Sequence, residues 1–544
     1  MFKPSNFEST STIEKQYTLT LVPSGDDSIA SNDFSSYGSI TTLPGETVVL
    51  DITFNPTRAG EHQATLYIDE LSDEDGQHFQ IQLNGDSISG TTLSGVVSGT
   101  WTTDNSPYLI IGDIQVDPYT SLTIDPGVEV QFMGDYNLLV TGELQATGMQ
   151  ESNIIFSCIG DGCSWGGINF EYSTGASYIT YAEITNTHTN ALSSYYSQDT
   201  TIDNVYIHAF SGYALNSNDT FADLTLSNSL IEDGDNNNSN PYYYINSEDT
   251  YLILDGVILN GNGNGEALHY RGNLPLSISN SEFNSFTHGI NIESQSGGAY
   301  HTIANTQFES CYYGIQIYNY TNIEFDNCEF INNQGYGIYA HAYTSLRVYN
   351  SLFQNNNDNG MYINDNDYIV DNCTFLDNNY GFYQGSYSQQ DIRGEIRNSI
   401  FEGHSNTAIM GNSSNYGPDI INTKILNNNE GIYEVHDIYN CIIANNNNNW
   451  AVDNSNSVIN STVVSNYRGV NNVPTVKNSI IFSNANDQIE NCNSVTYSNI
   501  MGGYSGEGNI DQNPGFSDFY NFELHASSPC IDAGDPSGVY NDIC

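Results

Sequence analysis

The sequence predicts an all-β chain: a long solenoid of short parallel strands, preceded by a partial antiparallel sandwich. Three observations carry this. A four-residue pattern built on Asn recurs along most of the 544 residues. Strand-like alternation and Gly or Asn turns fill the gaps between its copies. The first 90 residues lack the pattern and carry longer alternating runs.

The pattern is the tetrad Asn-small-x-apolar. It runs from Asn204-Val-Tyr-Ile207 through Asn280-Ser-Glu-Phe283 to Asn478-Ser-Ile-Ile481, and Asp255-Gly-Val-Ile258 fills one gap by substitution. Copies lie 18 to 27 residues apart, too close for a helix-pair repeat and suited to one coil of a solenoid. Side chains alternate along a strand, so the second and fourth positions share a face and the third takes the other. The fourth column, which includes Phe308, Phe330, Phe353, Phe375 and Phe401, is therefore expected to stack inside, one ring per coil. The leading Asn suits a tight turn, because Asn tolerates left-handed backbone and can bond to the coil above. The second column is small throughout. Its Cys328, Cys373 and Cys441 are expected as buried free thiols, since two coils, about 9–10 Å, separate even the nearest pair. After most tetrads a Gly/Ala-apolar step such as Gly289-Ile290 or Gly337-Ile338 opens a further alternating strand.

Composition narrows the partners. The chain has 64 Asp+Glu against 10 Lys+Arg, a formal charge of −54. Nucleic acids and anionic membranes bind through the Lys and Arg that are scarce here, so neither is an expected partner. Low hydrophobicity with high charge would suggest disorder, but 40 Tyr and 23 Phe set in a regular repeat argue against it. No stretch approaches the ~20 apolar residues of a membrane span. An extracellular or cell-surface setting fits this acidity. The opening Met1–Asn6 has no apolar leader core, so a fragment of a longer exported chain is expected. Two cysteine pairs, Cys158 with Cys163 and Cys530 with Cys544, stand open as disulfides or thiols.

Residues 108–170 read as short strands continuous with the repeat. Leu122-Thr-Ile-Asp-Pro-Gly-Val-Glu-Val-Gln-Phe132 resembles the entry phrase of secreted bacterial right-handed parallel β-helix proteins of the pectin-lyase-like superfold. Asn513-Pro-Gly-Phe516 and Ser528-Pro-Cys-Ile-Asp-Ala-Gly-Asp-Pro536 are similar to their exit phrase. The resemblance spans residues ~95–540 and implies a right-handed solenoid, but one superfold hosts many activities. Before it, Thr47–Phe54, Gly60–Ile68 and Phe79–Gly85 look like the later half of an immunoglobulin-like sandwich, similar to ASH or choice-of-anchor D modules. Five or six strands are legible there where seven are expected. The predicted domains are thus 1–90 immunoglobulin-like, 91–500 parallel β-helix, and 501–544 a C-terminal capping segment.

Function is less legible. Lyases of the superfold use a Lys or Arg base, often with Ca²⁺ held by carboxylates, and its inverting hydrolases use clustered Asp; the resemblance implies either chemistry. Three of the ten basic residues, Lys3, Lys15 and Arg58, lie outside the solenoid, and no tight Asp pair is visible on adjacent outward positions. Aligning the Gly/Ala steps places His269, Asn291, Gln316, Tyr339, Tyr362, Tyr383, Met410 and Tyr433 in one outward column. Two residues on come Arg271, Glu293, Tyr318, His341 and Asn364. His269, Arg271, Glu293, Tyr318 and His341 are the candidate catalytic groups, against the plainer reading of a cross-strand ion pair beside aromatics. Tyr339, Tyr362, Tyr383 and Tyr433 are candidate glycan-binding rings, flat and exposed, against an ordinary strand ladder of Tyr. The acidic runs Glu232–Asp235 and Asn364–Asp367 lack the ordered oxygen spacing of a calcium loop, so Ca²⁺ is a possible ligand without a motif and no metal site is assigned. The expected function is an exported, non-catalytic protein whose solenoid contacts an extracellular polysaccharide or surface glycan through Tyr. The alternative is a polysaccharide lyase or glycoside hydrolase using the His269–His341 region.

Overall fold

The computed structural model describes residues 5–8, 14–23, 34–36, 38–50, 52–54, 60–71, 78–87, 90–160, 162–218, 222–234, 243–294, 299–319, 321–341, 344–364, 367–385 and 394–537. The chain forms two compact units, Met1–Thr91 and Thr92–Cys544.

The first unit is antiparallel. Ser39–Thr42, Lys15–Pro23, Gly60–Glu70 and His78–Ser87 form a four-stranded sheet in that order, and Ser5–Glu8 pairs with Thr47–Leu50. Phe34–Ser35 pairs with Thr53–Phe54. Tyr17, Leu19, Phe34, Leu50, Ala64, Leu66, Ile68 and Leu83 share one core. Early strands that the sequence did not reveal are therefore present: Lys15–Pro23 sits at the centre of the sheet, paired with both Ser39–Thr42 and Gly60–Glu70.

The second unit is a right-handed parallel β-helix. Each coil carries three strands. A tetrad strand such as Gln307–Glu309 is followed by a longer one, Tyr313–Tyr318, and a return strand, Asn322–Asp326. Each pairs in parallel with its counterpart one coil on. The fourth-position column stacks as expected. Phe283, Phe308, Phe330, Phe353, Phe375 and Phe401 are fully buried, with successive ring centroids 4.4–5.1 Å apart and planes within 16°. All twelve tetrad Asn residues, Asn204 through Asn478, hold φ near +50°. Several donate to the preceding coil, to its Asn, as from Asn372 Nδ2 to Asn350 Oδ1 at 2.7 Å, or to an Asp, as from Asn350 Nδ2 to Asp326 Oδ1 at 2.6 Å. One register is corrected: Leu259, not Ile258, occupies the core column, because Gly256 rather than Asp255 takes the left-handed position.

The small second column does more than leave room. A hydroxyl on one coil accepts the buried N–H of the coil before: Ser351 from Cys328, Ser399 from Cys373 and Ser461 from Cys441, each at 3.1 Å. Cys328, Cys373 and Cys441 are free and buried, and burial pushes each thiol up to about 12. A second Asn ladder lies inside the turn after the tetrads from Asn327 onward. Asn333, Asn356 and Asn378, and later Asn428, Asn446, Asn466 and Asn484, each give Nδ2 to a main-chain carbonyl of the Phe/Ile/Val column. His404 occupies one rung. Gln488 closes the series, because its amide both accepts from and donates to Asn484.

Cys158 and Cys163 form a disulfide. Cys544, Asp235, Asp365 and Asn366 lie outside the described residues, so the Cys530–Cys544 pairing and those parts of the two acidic runs do too. The C-terminal segment runs back along the side of the coils instead of only covering an end. Phe516 and Phe522 pack on Leu426, Ala444 and Val464, Asn521 accepts from Lys424 Nζ at 2.7 Å, and Asp535 pairs with Lys477.

Candidate functional site

The long strands build one continuous face. Each bends at the Gly/Ala-apolar step, so the residue before the step and the residues two and four after it all point outward. In Glu266–Arg271 these are Glu266, His269 and Arg271, while Ala267, Leu268 and Tyr270 are buried. Glycine is needed at most steps because the coils nearly touch there: a Cβ at Gly337 would lie 2.5 Å from the Gly360 carbonyl oxygen.

The register places the predicted columns as expected. His269, Asn291, Gln316, Tyr339, Tyr362, Tyr383, Met410 and Tyr433 are successive partners. So are Arg271, Glu293, Tyr318, His341 and Asn364. A third outward column was missed by sequence reasoning: Glu266, His288, Tyr313 and Tyr336.

Charged and aromatic groups interlock where these columns meet. Glu266 accepts from His269 Nδ1 at 2.9 Å and from Asn291 Nδ2 at 3.2 Å, and its other contact is His288 Nδ1 at 3.5 Å. The Tyr243 ring stacks on His269 at 4.3 Å and Tyr313 on His288 at 5.0 Å. Gln316 lies beside the His288 side chain, whose Nδ1 is buried without a hydrogen-bond partner among the described residues, and donates its amide to the Tyr318 hydroxyl. All three of Glu266, His269 and His288 are below 20% exposed at the side chain. Burial holds the His288 imidazole below its ordinary pKa, with Glu266 pulling the other way, and burial raises the Tyr318 phenol. At neutral pH the His288 imidazole is thus neutral and the Tyr318 phenol protonated, on either side of Gln316.

The other predicted candidates divide. Arg271 is nearly half exposed and turns toward Glu248 of the preceding coil at 4.0 Å, so the expected Arg271–Glu293 neighbours are in register while the ion pair runs the other way. His341 lies against the Tyr318 and Tyr339 rings at 6.2 and 6.4 Å.

The tyrosines need a correction. Tyr339, Tyr362 and Tyr383 were expected as flat exposed rings. They are half-buried, and they stack on one another at 4.9 and 5.3 Å with planes within 13°. The rings cover each other's faces because the coil spacing is close to the aromatic stacking distance. What this column offers a ligand is ring edges and hydroxyls. Tyr433 stands apart, with Met410 intervening, and its hydroxyl accepts from Asn454 Nδ2 at 3.2 Å.

The expectation of no tight Asp pair on neighbouring outward positions is also overturned. Asp419 and Asp437 begin return strands on adjacent coils, and His436 Nδ1 lies 2.7 Å from one carboxylate and 3.3 Å from the other. Sequence alignment of coils hid the pair, because only 18 residues separate the two tetrads around it and the tetrad register says little about return strands.

A family model described as "Right handed beta helix region" matches residues 243–394. No curated protein sequence matches the chain. Among solved structures the chain is similar to the catalytic domain of a GH87 α-1,3-glucanase in complex with tetrasaccharides, at 12% identity over 80% of this chain and 87% of that one, TM-score 0.30. It is similar to the periplasmic alginate epimerase AlgG at 9% identity, 58% and 76% coverage, TM-score 0.24. A third likeness is to tailspike protein 3 of bacteriophage CBA120, at 10% identity, 61% and 56% coverage, TM-score 0.31. Among the described residues no helix is long and apolar enough to cross a membrane.

Proposed function

We propose that this protein cleaves an extracellular polysaccharide, as a lyase or glycoside hydrolase, on the long face around Gln316. The observation that supports this reading is the partly buried network of Glu266, His269, His288, Gln316 and Tyr318. A solenoid gains no packing from a shielded carboxylate that holds one imidazole and faces a second on its outer surface, whereas glycosidic cleavage needs a base and an acid held apart across the bond. His288 accepts the proton, from a sugar carbon in elimination or from water in hydrolysis. Tyr318 gives a proton to the leaving oxygen, and Gln316 fixes the Tyr318 hydroxyl. Glu266 and His269 position His288, and Arg271 marks the open edge of the face. The tyrosine hydroxyls of Tyr339, Tyr362 and Tyr383 continue the same face and supply a rail for the distal sugars.

A chain of charge −54 favours neutral glycans over polyanionic ones, and with them hydrolysis over elimination, which needs a uronate. The Cys158–Cys163 disulfide and this acidity suit an extracellular or surface setting. The test is a screen for new reducing ends and for unsaturated products across neutral and uronic polysaccharides, with His288→Ala and Tyr318→Phe beside the parent. Cleavage that falls by roughly 10²–10⁴-fold in each variant supports the reading. Cleavage unchanged in both removes the network from the chemistry. Retention on a glycan with no cleavage by the parent, lost when Tyr339, Tyr362 and Tyr383 are all changed to Phe, favours the non-catalytic contact protein instead, since only the hydroxyls are removed.

A further inference from the structure

Far along the solenoid, on the return face, a second group of side chains converges. Asp419 starts the strand Asp419–Ile421, and Asp437 starts its partner one coil on, Asp437–Tyr439. His436, the residue before Asp437, sits between them. Of 64 acidic residues and 11 histidines, Asp419, His436 and Asp437 are the only group among the described residues whose ligand atoms all lie within 4.8 Å of one another.

The trio is more than an acidic patch. His436 places a nitrogen, Nδ1, toward both carboxylates, at 2.7 and 3.3 Å, and its side chain is only 14% exposed. Asp437 is held from behind. Ser457 Oγ at 2.6 Å and Asn456 Nδ2 at 2.8 Å both donate to Oδ1, while Oδ2 faces His436 Nδ1 at 3.3 Å and takes a longer bond from the Tyr439 hydroxyl at 3.4 Å. Main-chain bonds fix the other members: His436 N–H donates to the Pro418 carbonyl at 3.0 Å, and Asp437 N–H to Asp419 Oδ1 at 3.3 Å. Two carboxylates brought together on adjacent coils repel, and among the described residues the only ion-pair partner of either is His436. The upstream neighbour in the same column, Glu395, is by contrast matched by Arg397 at 3.2 Å.

We propose that Asp419, His436 and Asp437 bind a divalent metal ion of the zinc class, with Nδ1 and one oxygen of each carboxylate as ligands. Mixed N and O donors suit Zn²⁺, Co²⁺ or Mn²⁺ better than Ca²⁺, which takes oxygen alone. Binding exchanges the metal for the proton that Nδ1 shares with Asp419. Three protein ligands leave a coordination position open to water, the arrangement of a reactive rather than a purely structural site. The proposal is independent of the long-face reading, because none of its residues belongs to that face.

The experiment uses Co²⁺ alone as the probe, titrated into the full chain in about 0.15 M NaCl so that diffuse association with the acidic surface is screened. Visible absorption reports nitrogen and carboxylate ligation. The expected result is one saturable Co²⁺ per chain with a ligand-field spectrum, lost in His436→Gln and Asp437→Asn. Ser457→Ala, which frees Asp437 without removing a ligand, should weaken affinity by roughly 10–100-fold. Circular dichroism of each variant checks the fold. Co²⁺ association that is non-saturable in the parent, or that is equal in the parent and in folded His436→Gln, overturns the proposal.

Discussion

The solenoid carries two aromatic ladders, one inside and one outside, and they are nearly the same object. Phenylalanine rings of the tetrad column sit 4.4–5.1 Å apart and the tyrosines of the long face 4.9 and 5.3 Å apart, both near parallel. One ladder is sealed and the other half open to water, yet the stacking barely differs. The coil spacing imposes this geometry on any repeated ring, so a regular aromatic column is no sign of a ligand. The informative places are those where the columns break: at Gln316, Asn291 and His269 on the long face, and at His436 on the return face.

The comparison can be tested by breaking it. The largest effect is expected inside. Phe353→Ala should cost about 3–5 kcal/mol, through lost contact and the cavity left between Phe330 and Phe375; equilibrium denaturation checks it. Next come the buried histidines. Burial holds His404 at about 3 and His301 at about 4, whereas unfolded histidine titrates near 6.5. Their neutral forms therefore stabilise the fold fully above pH 6.5. That contribution is lost as pH falls, at roughly 1.4 kcal/mol per pH unit for each histidine, until the folded values are reached. His404→Asn should remove one of the two slopes from a plot of stability against pH. Slopes equal in parent and variant would show that His404 is protonated when folded.

Smaller again is Asn356→Ala, which strips a rung from the interior amide ladder, orphans the Asn333 N–H and takes the side-chain donor from the Phe330 carbonyl. A loss of about 1–3 kcal/mol is expected by thermal or chemical unfolding. Smallest is Tyr362→Ala, whose half-buried ring contributes two stacked contacts of about 0.5–1.5 kcal/mol each before solvent and neighbouring tyrosines compensate. If Tyr362→Ala proves as damaging as Phe353→Ala, the outer ladder is structural core and its hydroxyl edge has no spare role.

Much of this architecture was legible because the tetrad ties chemistry to geometry. Asn tolerates positive φ, so twelve Asn at a common interval forecast twelve left-handed turns. The one misplaced register, at Asp255, arose where Gly256 offered that tolerance equally well. The interior ladder went unread although it has a signal: Asn recurs six residues after the tetrad Asn, as in Asn327 and Asn333 or Asn460 and Asn466. Alternation assigned Tyr362 to the outer side but could not say what would lie over it. Glu266 and His288 were hidden for a related reason. They precede the bend at the glycine step, so simple alternation turns them the wrong way. Asp419 and Asp437 sit on strands whose spacing is set by turn lengths that vary between coils, and only the folded chain brings them together.

Open parallel solenoids present a hazard at their ends, where unpaired main-chain groups invite another strand to dock and growth to continue. Gln488 bears on that hazard. Each ladder Asn relies on a side-chain acceptor from the following rung, and the last, Asn484, finds it in a residue only four positions on. The longer side chain of Gln488 folds back where a further coil's Asn would stand, so the amide relay ends within the molecule. A single extra methylene thereby closes this relay before the last strands, Ser494–Thr496 and Asn499–Ile500, so it has no open rung to pass to an added strand.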